Sequence, residues 1–148
     1  MVTIRNDELQ AALQGMQRLV SELMQQKVTP HLMMRLRRMI RAATPVVEDV
    51  EQERQRRIKL YAKLDEKGEV VDEPALTEKG EPIRRAVFET PSKEREFWAA
   101  YNELMAFTSE QPEQLVESDF HWVSASGEKR QAEVLGETLL MLGGLLEG

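Results

Sequence analysis

The chain has 148 residues, which is the size of one ordinary domain. With 31% charged residues, 41% hydrophobic residues and a formal net charge of −6, it has the composition of a globular protein and not of a disordered one. The absence of cysteine excludes disulfides, a cysteine nucleophile and thiolate zinc sites.

The first two elements are predicted to be long helices that form an antiparallel hairpin over residues 1–64. In the first helix, apolar residues recur at alternating spacings of four and three from Leu9 to Leu23. Asn6 is expected to be the N-cap of this helix, followed by acidic residues that suit the positive end of the helix dipole.

The second helix is expected to begin with Thr29 as the N-cap and Pro30 in the first helical position. Pro45 interrupts its pattern, because an interior proline removes one backbone hydrogen bond and clashes with the preceding turn. The apolar register nevertheless continues past this proline to Leu64. We therefore favour a kinked, essentially continuous helix over a second start at Thr44.

Residues 65–90 are predicted to be an acidic, turn-rich connector. Two similar segments, Leu-Asp-Glu-Lys-Gly-Glu and Leu-Thr-Glu-Lys-Gly-Glu, follow each other there at a spacing of twelve residues. They place Gly68 and Gly80 where a turn requires a positive φ. Short extended pieces are expected at residues 70–71 and 83–88.

Residues 91–148 are predicted to form a compact head that holds most of the aromatic side chains. Pro91 is expected to open a third helix that ends near Gln111. Alternation over residues 117–124 predicts a strand, and residues 132–147 predict a last apolar helix. The expected fold class is mainly α (α+β): a long N-terminal antiparallel helical hairpin and a small C-terminal head with two or three short strands and two helices.

No membrane association is expected. The residues before Leu9 contain no basic segment leading into an apolar one, so no secretory signal is predicted. The most apolar segment, residues 134–146, would span only about 20 Å as a helix, short of a hydrocarbon core of about 30 Å. The expected location is the cytoplasm.

The sequence contains none of the motifs that carry catalysis or metal binding. A phosphate-cradling glycine loop and an HExxH motif are both missing. The acidic connector is interpreted as a solvated loop, because its spacing does not fit a calcium loop. His121, near Asp119, is interpreted as a half-exposed strand residue and not as a general base. No catalytic residue, metal or cofactor is predicted, and the chain is not expected to be an enzyme.

Basic residues are concentrated in the second helix. Residues 31–63 contain nine Lys or Arg and four Asp or Glu, a net charge of +5, whereas the rest of the chain has a net charge of −11. This asymmetry is typical of proteins that bind phosphate backbones or an acidic protein surface. No aromatic residues interleave with the arginines, which disfavours base stacking. The alternative is a solvated face paired with neighbouring acids.

The candidate partner-binding surface combines these arginines with apolar residues of the hairpin. Methionines near the hairpin bend are suited to an adaptable binding groove, although core packing is their commoner role. The residues predicted to contact a partner are Met33, Arg35, Arg37, Arg38, Arg41, Val47, Val50, Arg54 and Arg57.

The charged end of the second helix and the turn after it resemble an uncharacterised family of short phage and prophage proteins. Glu51, Arg54, Ile58 and Tyr61 match an E-x-x-R-x-x-x-I/L-x-x-Y stretch of that family. The order of the later elements is also similar, with a helix, an extended piece and a small leucine-rich helix. The resemblance implies a phage origin, and it supplies no catalytic residues because the family has no assigned activity.

The leading hypothesis is a non-enzymatic bacteriophage protein that acts through protein–protein contact. The contact would serve virion assembly or structure, or binding of a host protein, in the cytoplasm of the host cell or in the virion. The partner would be a second copy, a phage protein or a host protein, and replacing Val47 and Val50 with Asp should abolish association. The alternative is a nucleic-acid-binding regulator that uses Arg35, Arg37, Arg38 and Arg41.

Overall fold

The computed structural model describes residues 1–147, and within them it contains four α-helices and three two-stranded antiparallel sheets. The fold is mainly α with a few short strands, as predicted, and the pair of long helices is confirmed. In chain order the elements are β1 (Val2–Arg5), α1 (Asn6–Leu23), α2 (Pro30–Tyr61), β2 (Asp72–Leu76), β3 (Pro82–Ala86), α3 (Pro91–Ala106), β4 (Thr108–Gln111), β5 (His121–Val123), β6 (Lys129–Gln131) and α4 (Gly136–Met141).

The chain divides into two compact units. Unit 1 combines Met1–Glu48 with the segment that begins at Ala106, and unit 2 is Asp49–Met105. This division differs from the expected one into residues 1–64, 65–90 and 91–148. The reason is that the C-terminal segment packs on α1 and forms no separate head, and the boundary between the units falls inside α2.

The core of unit 1 is built around α1. Leu9, Met16 and Leu23 are buried, as the four-three spacing predicts, and Leu19, which lies outside that spacing, is fully buried as well. At Gly15 the backbone of α4 comes close, and a Cβ added there would lie 2.8 Å from the Cβ of Met141. The other elements contribute to the same core through Leu32, Leu36, Met39 and Ala43 of α2 and through Leu115, Phe120, Leu142 and Leu145.

An unpredicted sheet joins the first residues of the chain to the residues after α3. β1 pairs antiparallel with β4, with Val2 opposite Gln111 and Arg5 opposite Thr108. The third helix consequently ends at Ala106 and does not continue to Gln111. Four-residue strands are too short for alternation to reveal them, and their pairing partners are far apart in sequence.

The start of α1 also differs from the prediction. Asn6 is the first helical residue, and Arg5 occupies the N-cap without a side-chain hydrogen bond. The amide of Asn6 donates to the carbonyl oxygen of Phe107 at 2.8 Å. A backbone hydrogen bond to the residue before β4 thus satisfies the amide of Asn6, which is the first of the helix amides that have no partner within the helix.

α2 is one α-helix that contains Pro45, so its predicted continuity is confirmed. Thr29 acts as the expected N-cap, with its Oγ1 accepting a hydrogen bond from the amide of Leu32 at 3.4 Å. Immediately before the proline, the hydroxyl of Thr44 donates to the carbonyl oxygen of Ile40 at 2.7 Å. The first part of this helix belongs to unit 1 and the rest to unit 2.

Three hairpin loops share one hydrogen-bond pattern. They begin at Asp65, Thr77 and Ser124, and in each the first amide donates to the carbonyl four residues later at 2.8 to 2.9 Å. The side-chain oxygen of the first residue accepts from the amide of that same later residue at 2.9, 3.1 and 3.2 Å respectively. The glycines in the fourth position, Gly68, Gly80 and Gly127, have φ values of 77°, 79° and 85°. The two predicted glycine turns are confirmed, and the loop at Ser124 is a third copy.

The strands of unit 2 are displaced from the expected extended pieces. β2 and β3 form a hairpin with Asp72 opposite Ala86 and Leu76 opposite Pro82. Residues 70–71 contribute only an isolated bridge at Val70 and two backbone hydrogen bonds of Val71. The second loop therefore connects a longer hairpin than the sequence indicated.

Two elements near the C-terminus are shorter than predicted. A 3₁₀ turn, Glu117–Phe120, replaces the first half of the expected strand, and the carboxylate of Asp119 accepts a hydrogen bond from the amide of Val116 at 2.8 Å. The alternation of residues 117–124 was therefore a coincidence over its first half. The last α-helix is limited to α4 and is followed by a 3₁₀ turn, Gly143–Leu145, in which Gly143 has a φ of 50°.

Candidate binding site

The structure uses most of the predicted partner-binding arginines in contacts within the chain. Arg35 donates from Nη2 to the carbonyl oxygen of Gln114 at 2.8 Å, and its Nη1 lies 3.5 Å from Oδ1 of Asp119. Arg38 places Nε 3.3 Å from Oε1 of Glu113. These two arginines attach the segment after β4 to α2, so their role in the structure is to support the fold of unit 1.

The apolar members of the predicted surface are also packed within the chain. Met33 and Val47 are partly buried against the core of unit 1, and Val50 is only 6% exposed. The hairpin seam is covered by the chain itself and is not an open interface. Replacing Val47 and Val50 with Asp would bury carboxylates in packed positions, so the proposed double variant would test folding and not association.

In unit 2, Arg54 and Arg57 are paired with acids of their own helix. Arg54 binds both carboxylate oxygens of Glu51, at 2.9 and 2.6 Å, and these bonds hold the pKa of Glu51 below its ordinary value. Arg57 donates to Glu53 at 2.9 Å and to the carbonyl oxygen of Ala100 at 2.7 Å, which fixes α3 beside α2. Hydrogen bonds from Arg56 and Arg57 lower the pKa of Glu53 to about 2.

Of the arginines predicted to contact a partner, only Arg37 and Arg41 are exposed without an ion pair or hydrogen bond among the described residues 1–147. They are four residues apart and therefore share one face of α2. Met34, 59% exposed, lies on the same part of the helix. This small basic face in unit 1 is what the structure leaves of the predicted arginine surface.

Unit 2 contains a groove of about 510 Å³ that the sequence did not predict, and we call it the Trp98 groove. Four parts of the unit line it: the C-terminal half of α2, strand β3, Phe88 and the middle of α3. Its lining residues are Arg54, Ile58, Ile83, Arg84, Arg85, Ala86, Phe88, Glu94, Phe97, Trp98 and Tyr101.

The floor of the Trp98 groove is an aromatic cluster centred on Phe97, which is 3% exposed. The ring centroid of Phe97 lies 5.2 Å from that of Trp98, 5.5 Å from Phe88 and 6.1 Å from Tyr101. Trp98 is 48% exposed and meets Tyr101 edge to face at 5.4 Å. The aromatic residues of α3, expected in the core of a C-terminal head, therefore lie in unit 2.

Three arginines flank the groove, and each is oriented by an acid outside the lining. Arg54 pairs with Glu51, Arg84 with Asp72 and Arg85 with Glu73, in every case through Nε and Nη2. The Nη1 groups of these arginines make no hydrogen bond within the part of the chain that the structure describes. Each Nη1 retains its two N–H donors, because a guanidinium has five.

The sequence does not predict this site because its parts are distant along the chain. No aromatic residues interleave with the α2 arginines along the sequence. In the folded unit, however, the predicted candidate Arg54 shares the groove with Trp98 and Tyr101. The available signals were the Arg84-Arg85 pair and the aromatic spacing of α3, but neither specifies a groove by itself.

The remaining candidates do not assemble a reactive centre. His121 is exposed on β5, and its Nε2 lies 4.0 Å from the carboxylate of Glu117, whose side chain is 93% exposed. Among residues 1–147, no group of three or more His, Asp or Glu side chains is placed to hold a metal ion. Within the same range, no helix has the length and apolar character needed to cross a membrane.

Comparison of the chain with protein-family models, with curated proteins and with solved structures gave no match. Function is therefore inferred from the geometry of each unit. The phage resemblance stays a prediction from the sequence.

Proposed function

We propose that this chain is a non-enzymatic binding protein that acts through protein–protein contact at the Trp98 groove. The observation that carries the proposal is a half-exposed Trp98 held on a buried Phe97 in an open groove flanked by arginines. Trp, Tyr and Arg are the residues that most often dominate the energy of protein interfaces. Because Trp98 is already fixed by its aromatic neighbours, binding would cost little side-chain entropy.

The lining favours binding over catalysis. It consists of aromatic, aliphatic and arginine side chains, with Glu94 as its only carboxylate. General acid–base or nucleophilic chemistry requires a base within hydrogen-bond distance of the group it activates. A groove of this composition instead offers apolar area and directed N–H donors, which are the elements of recognition.

The biological setting of the proposal comes from the sequence. The resemblance around Glu51 and Tyr61 supports a bacteriophage origin. The partner would be a host protein, a phage protein or a second copy. The contact would take place in the cytoplasm of the host cell or in the virion.

Selection from a random peptide library displayed on messenger RNA tests the proposed contact site. The immobilised bait is the full chain, and the enriched peptides are re-measured against Trp98→Ala, against Ile83→Ser and against Leu60→Ser. Leu60 is the matched control because it is a 62% exposed leucine of the same unit that does not line the groove.

We expect peptides that bind the wild type and the Leu60 variant equally and that lose at least about tenfold in affinity on both groove variants. Circular dichroism confirms that the variants are folded. Ile83→Ser keeps the test valid if removal of the tryptophan disturbs the aromatic cluster. Enrichment of peptides that ignore both groove substitutions would overturn the proposal.

A second candidate function is nucleic-acid binding by the basic face of α2. The observation in its favour is that Arg37 and Arg41 are exposed without partners among the described residues. Fluorescence anisotropy with a labelled DNA duplex tests it, because binding to phosphates must weaken steeply as salt is raised. Arg37→Gln with Arg41→Gln should abolish such binding, and absence of binding at low salt would eliminate this function.

A further inference from the structure

We infer that the Trp98 groove binds an extended peptide segment as an added β-strand, paired with the outer edge of β3 and anchored by an apolar side chain on Trp98. The inference rests on the proposed function and specifies how the partner is recognised. Main-chain hydrogen bonds to β3 would supply affinity, and the aromatic floor of the groove would select the anchoring side chain.

The groove runs along the outer edge of β3. Its lining includes four consecutive residues of that strand, from Ile83 to Ala86. Successive side chains of a strand point to opposite faces of the sheet, so a cavity that touches four in a row follows an edge and does not lie over one face. No residue of the described strand β2 lines the groove. The edge concerned is therefore the one turned away from β2.

Two outward-facing positions of this edge have free main-chain groups. Inside the hairpin, the amide of Val87 donates to the carbonyl oxygen of Val71 at 2.9 Å. Because hydrogen-bonded and non-hydrogen-bonded pairs alternate along an antiparallel ladder, the amides and carbonyls of Ala86 and Arg84 point away from β2. Neither residue makes another backbone hydrogen bond within residues 1–147. An added strand can therefore pair with both positions.

Prolines close the other edge of the hairpin and limit the open one. On β2 the central outward-facing position is Pro74, which has no amide, so a ladder on that edge would be interrupted at its middle. On β3 the proline is Pro82, the first residue of the strand, and it leaves Arg84 and Ala86 open. Edge strands are usually protected against pairing. An edge left open beside an aromatic groove therefore favours strand addition.

α3 supplies the anchor site on the other side of the groove. An added strand would lie about 4.8 Å from β3, with alternate side chains directed to the same face. Trp98 is 48% exposed and is held by the buried ring of Phe97, so it offers a fixed aromatic surface to one of these side chains. An aromatic or large aliphatic anchor suits this surface, because aromatic contacts contribute beyond the area that they bury.

Charge does not select the occupant. Arg54, Arg84 and Arg85 each pair with an acid, and Glu94 is the only other charged residue of the lining. Without an excess of positive charge, the groove has little attraction for the phosphates of a nucleic acid. A helical partner is disfavoured for another reason, since its main-chain groups bond within the helix and would leave the edge of β3 unpaired.

A second copy of the chain is also a poor occupant. The register that pairs Arg84 of one copy with Ala86 of the other places Arg85 directly opposite its own counterpart. Like charges directly opposite each other destabilise a pair of strands. The observations therefore favour an uncharged, extended segment of another protein.

The test uses the full chain and defined probes. The parent probe is the fluorescein-labelled, uncharged peptide Thr-Val-Thr-Trp-Thr-Val-Thr, in which alternate apolar side chains share one face. Two further peptides carry N-methyl groups, either on the amides of Val, Trp and Val or on those of the three threonines that follow the first. A labelled oligothymidylate is the fourth probe. Affinities are measured by fluorescence anisotropy, and light scattering gives the oligomeric state.

The protein variants separate the amide of position 84 from its side chain. Arg84→Pro removes the outward-facing amide, and Arg84→Gln removes the guanidinium but keeps the amide. Leu76→Pro is the matched control for the proline, because Leu76 is 71% exposed at an outward-facing position of β2 and does not line the groove. Circular dichroism confirms folding, and the methylated peptides test the wild type without any substitution.

We expect one methylated peptide to lose at least about tenfold in affinity and the other to bind like the parent, because only alternate amides of an added strand face β3. Arg84→Pro should also weaken binding at least about tenfold, whereas Arg84→Gln and Leu76→Pro should bind like the wild type. This combination of results would support strand addition.

Other results would overturn the inference in distinguishable ways. If the two methylated peptides bind equally, whether like the parent or more weakly, strand addition is wrong; loss of binding in Trp98→Ala would then leave the proposed contact site intact. A dimer that Arg84→Pro dissociates would replace the peptide by a second copy. Preference for oligothymidylate over every peptide would overturn both proposals. Absence of binding by all the probes would overturn the inference, and the library selection would decide the proposed function independently.

Discussion

Gly15 of α1 lies directly under Met141 of α4, so close that a Cβ on the glycine would be 2.8 Å from the Cβ of the methionine. The same Cβ would meet the backbone carbon of Met141 at 3.2 Å and the amide nitrogen of Leu142 at 3.3 Å. Two of these three atoms belong to the backbone, so the contact cannot be relieved by a rotamer change. A glycine that weakens α1 as an isolated helix is thus required by the packing of unit 1.

Gly15→Ala should destabilise the protein although alanine is the better helix former. The gain in helix propensity is about 1 kcal/mol, and overpacking against a backbone costs about 1 to 3 kcal/mol. We expect a net loss of about 1 kcal/mol in the free energy of unfolding, measured by urea denaturation. Gly136→Ala is the control, because nothing lies within 4 Å of a Cβ at that glycine. An alanine at position 15 that is as stable as the wild type would show that the helices do not approach so closely.

Gly80→Ala should destabilise the hairpin of unit 2. Gly80 has a φ of 79°, a left-handed conformation that costs an L-residue with a Cβ about 1 to 2 kcal/mol. Gly80→Asn should lose less, because asparagine tolerates this region better. Thermal unfolding of both variants checks the order, and an alanine variant no weaker than the asparagine variant would contradict the turn geometry.

Arg35→Ala should destabilise the fold by about 2 kcal/mol, because it leaves the nearly buried carboxylate of Asp119 without its cation. Arg37→Ala, on the exposed face of the same helix, should change the free energy of unfolding by less than about 0.5 kcal/mol. Urea denaturation compares the two. Equal effects would mean that Arg35 does not have the structural role assigned to it.

The ion pairs of Glu53 should make the stability of the protein depend on pH in the acid range. Arg56 and Arg57 lower the pKa of Glu53 from 4.5 to about 2 in the folded protein. Because the pKa of Glu53 is lower in the folded than in the unfolded protein, its ion pairs stabilise the folded state at pH values above 4.5. This contribution is lost as the pH falls from 4.5 toward 2. Glu53→Gln should therefore be less stable than the wild type near neutral pH. The difference should shrink across this interval, and a difference independent of pH would contradict the assignment.

Local signals in the sequence predicted the parts of the fold that are held by local interactions. The spacing of Leu9 to Leu23, the Thr29-Pro30 start of α2 and the glycine turns all involve residues within a few positions of each other. The β1–β4 sheet escaped prediction because its strands have four residues each and their partners are separated by most of the chain.

The candidate site was only partly predictable for the same reason. Charge counting identified Arg54, but it could not distinguish arginines that hold the chain together, such as Arg35, from arginines at the edge of a groove. The aromatic residues of α3 are assigned to a core because a hydrophobic pattern predicts which side of a helix is covered. It does not predict how deeply each residue on that side is buried. Trp98 is the residue for which that difference decides the function proposed.

The three hairpin loops have a practical consequence for engineering. Asp65, Thr77 and Ser124 supply the same hydrogen-bond acceptor, and each loop sets the same strand register with its fourth-position glycine. The five-residue loops are therefore exchangeable cassettes. Transplanting Ser-Ala-Ser-Gly-Glu into the loop at Thr77 would remove the charges of Glu78 and Lys79 while keeping the acceptor and the glycine that set the strand register. The same transplant at Asp65 would remove three charges, so charge changes can be made in either hairpin without altering its alignment.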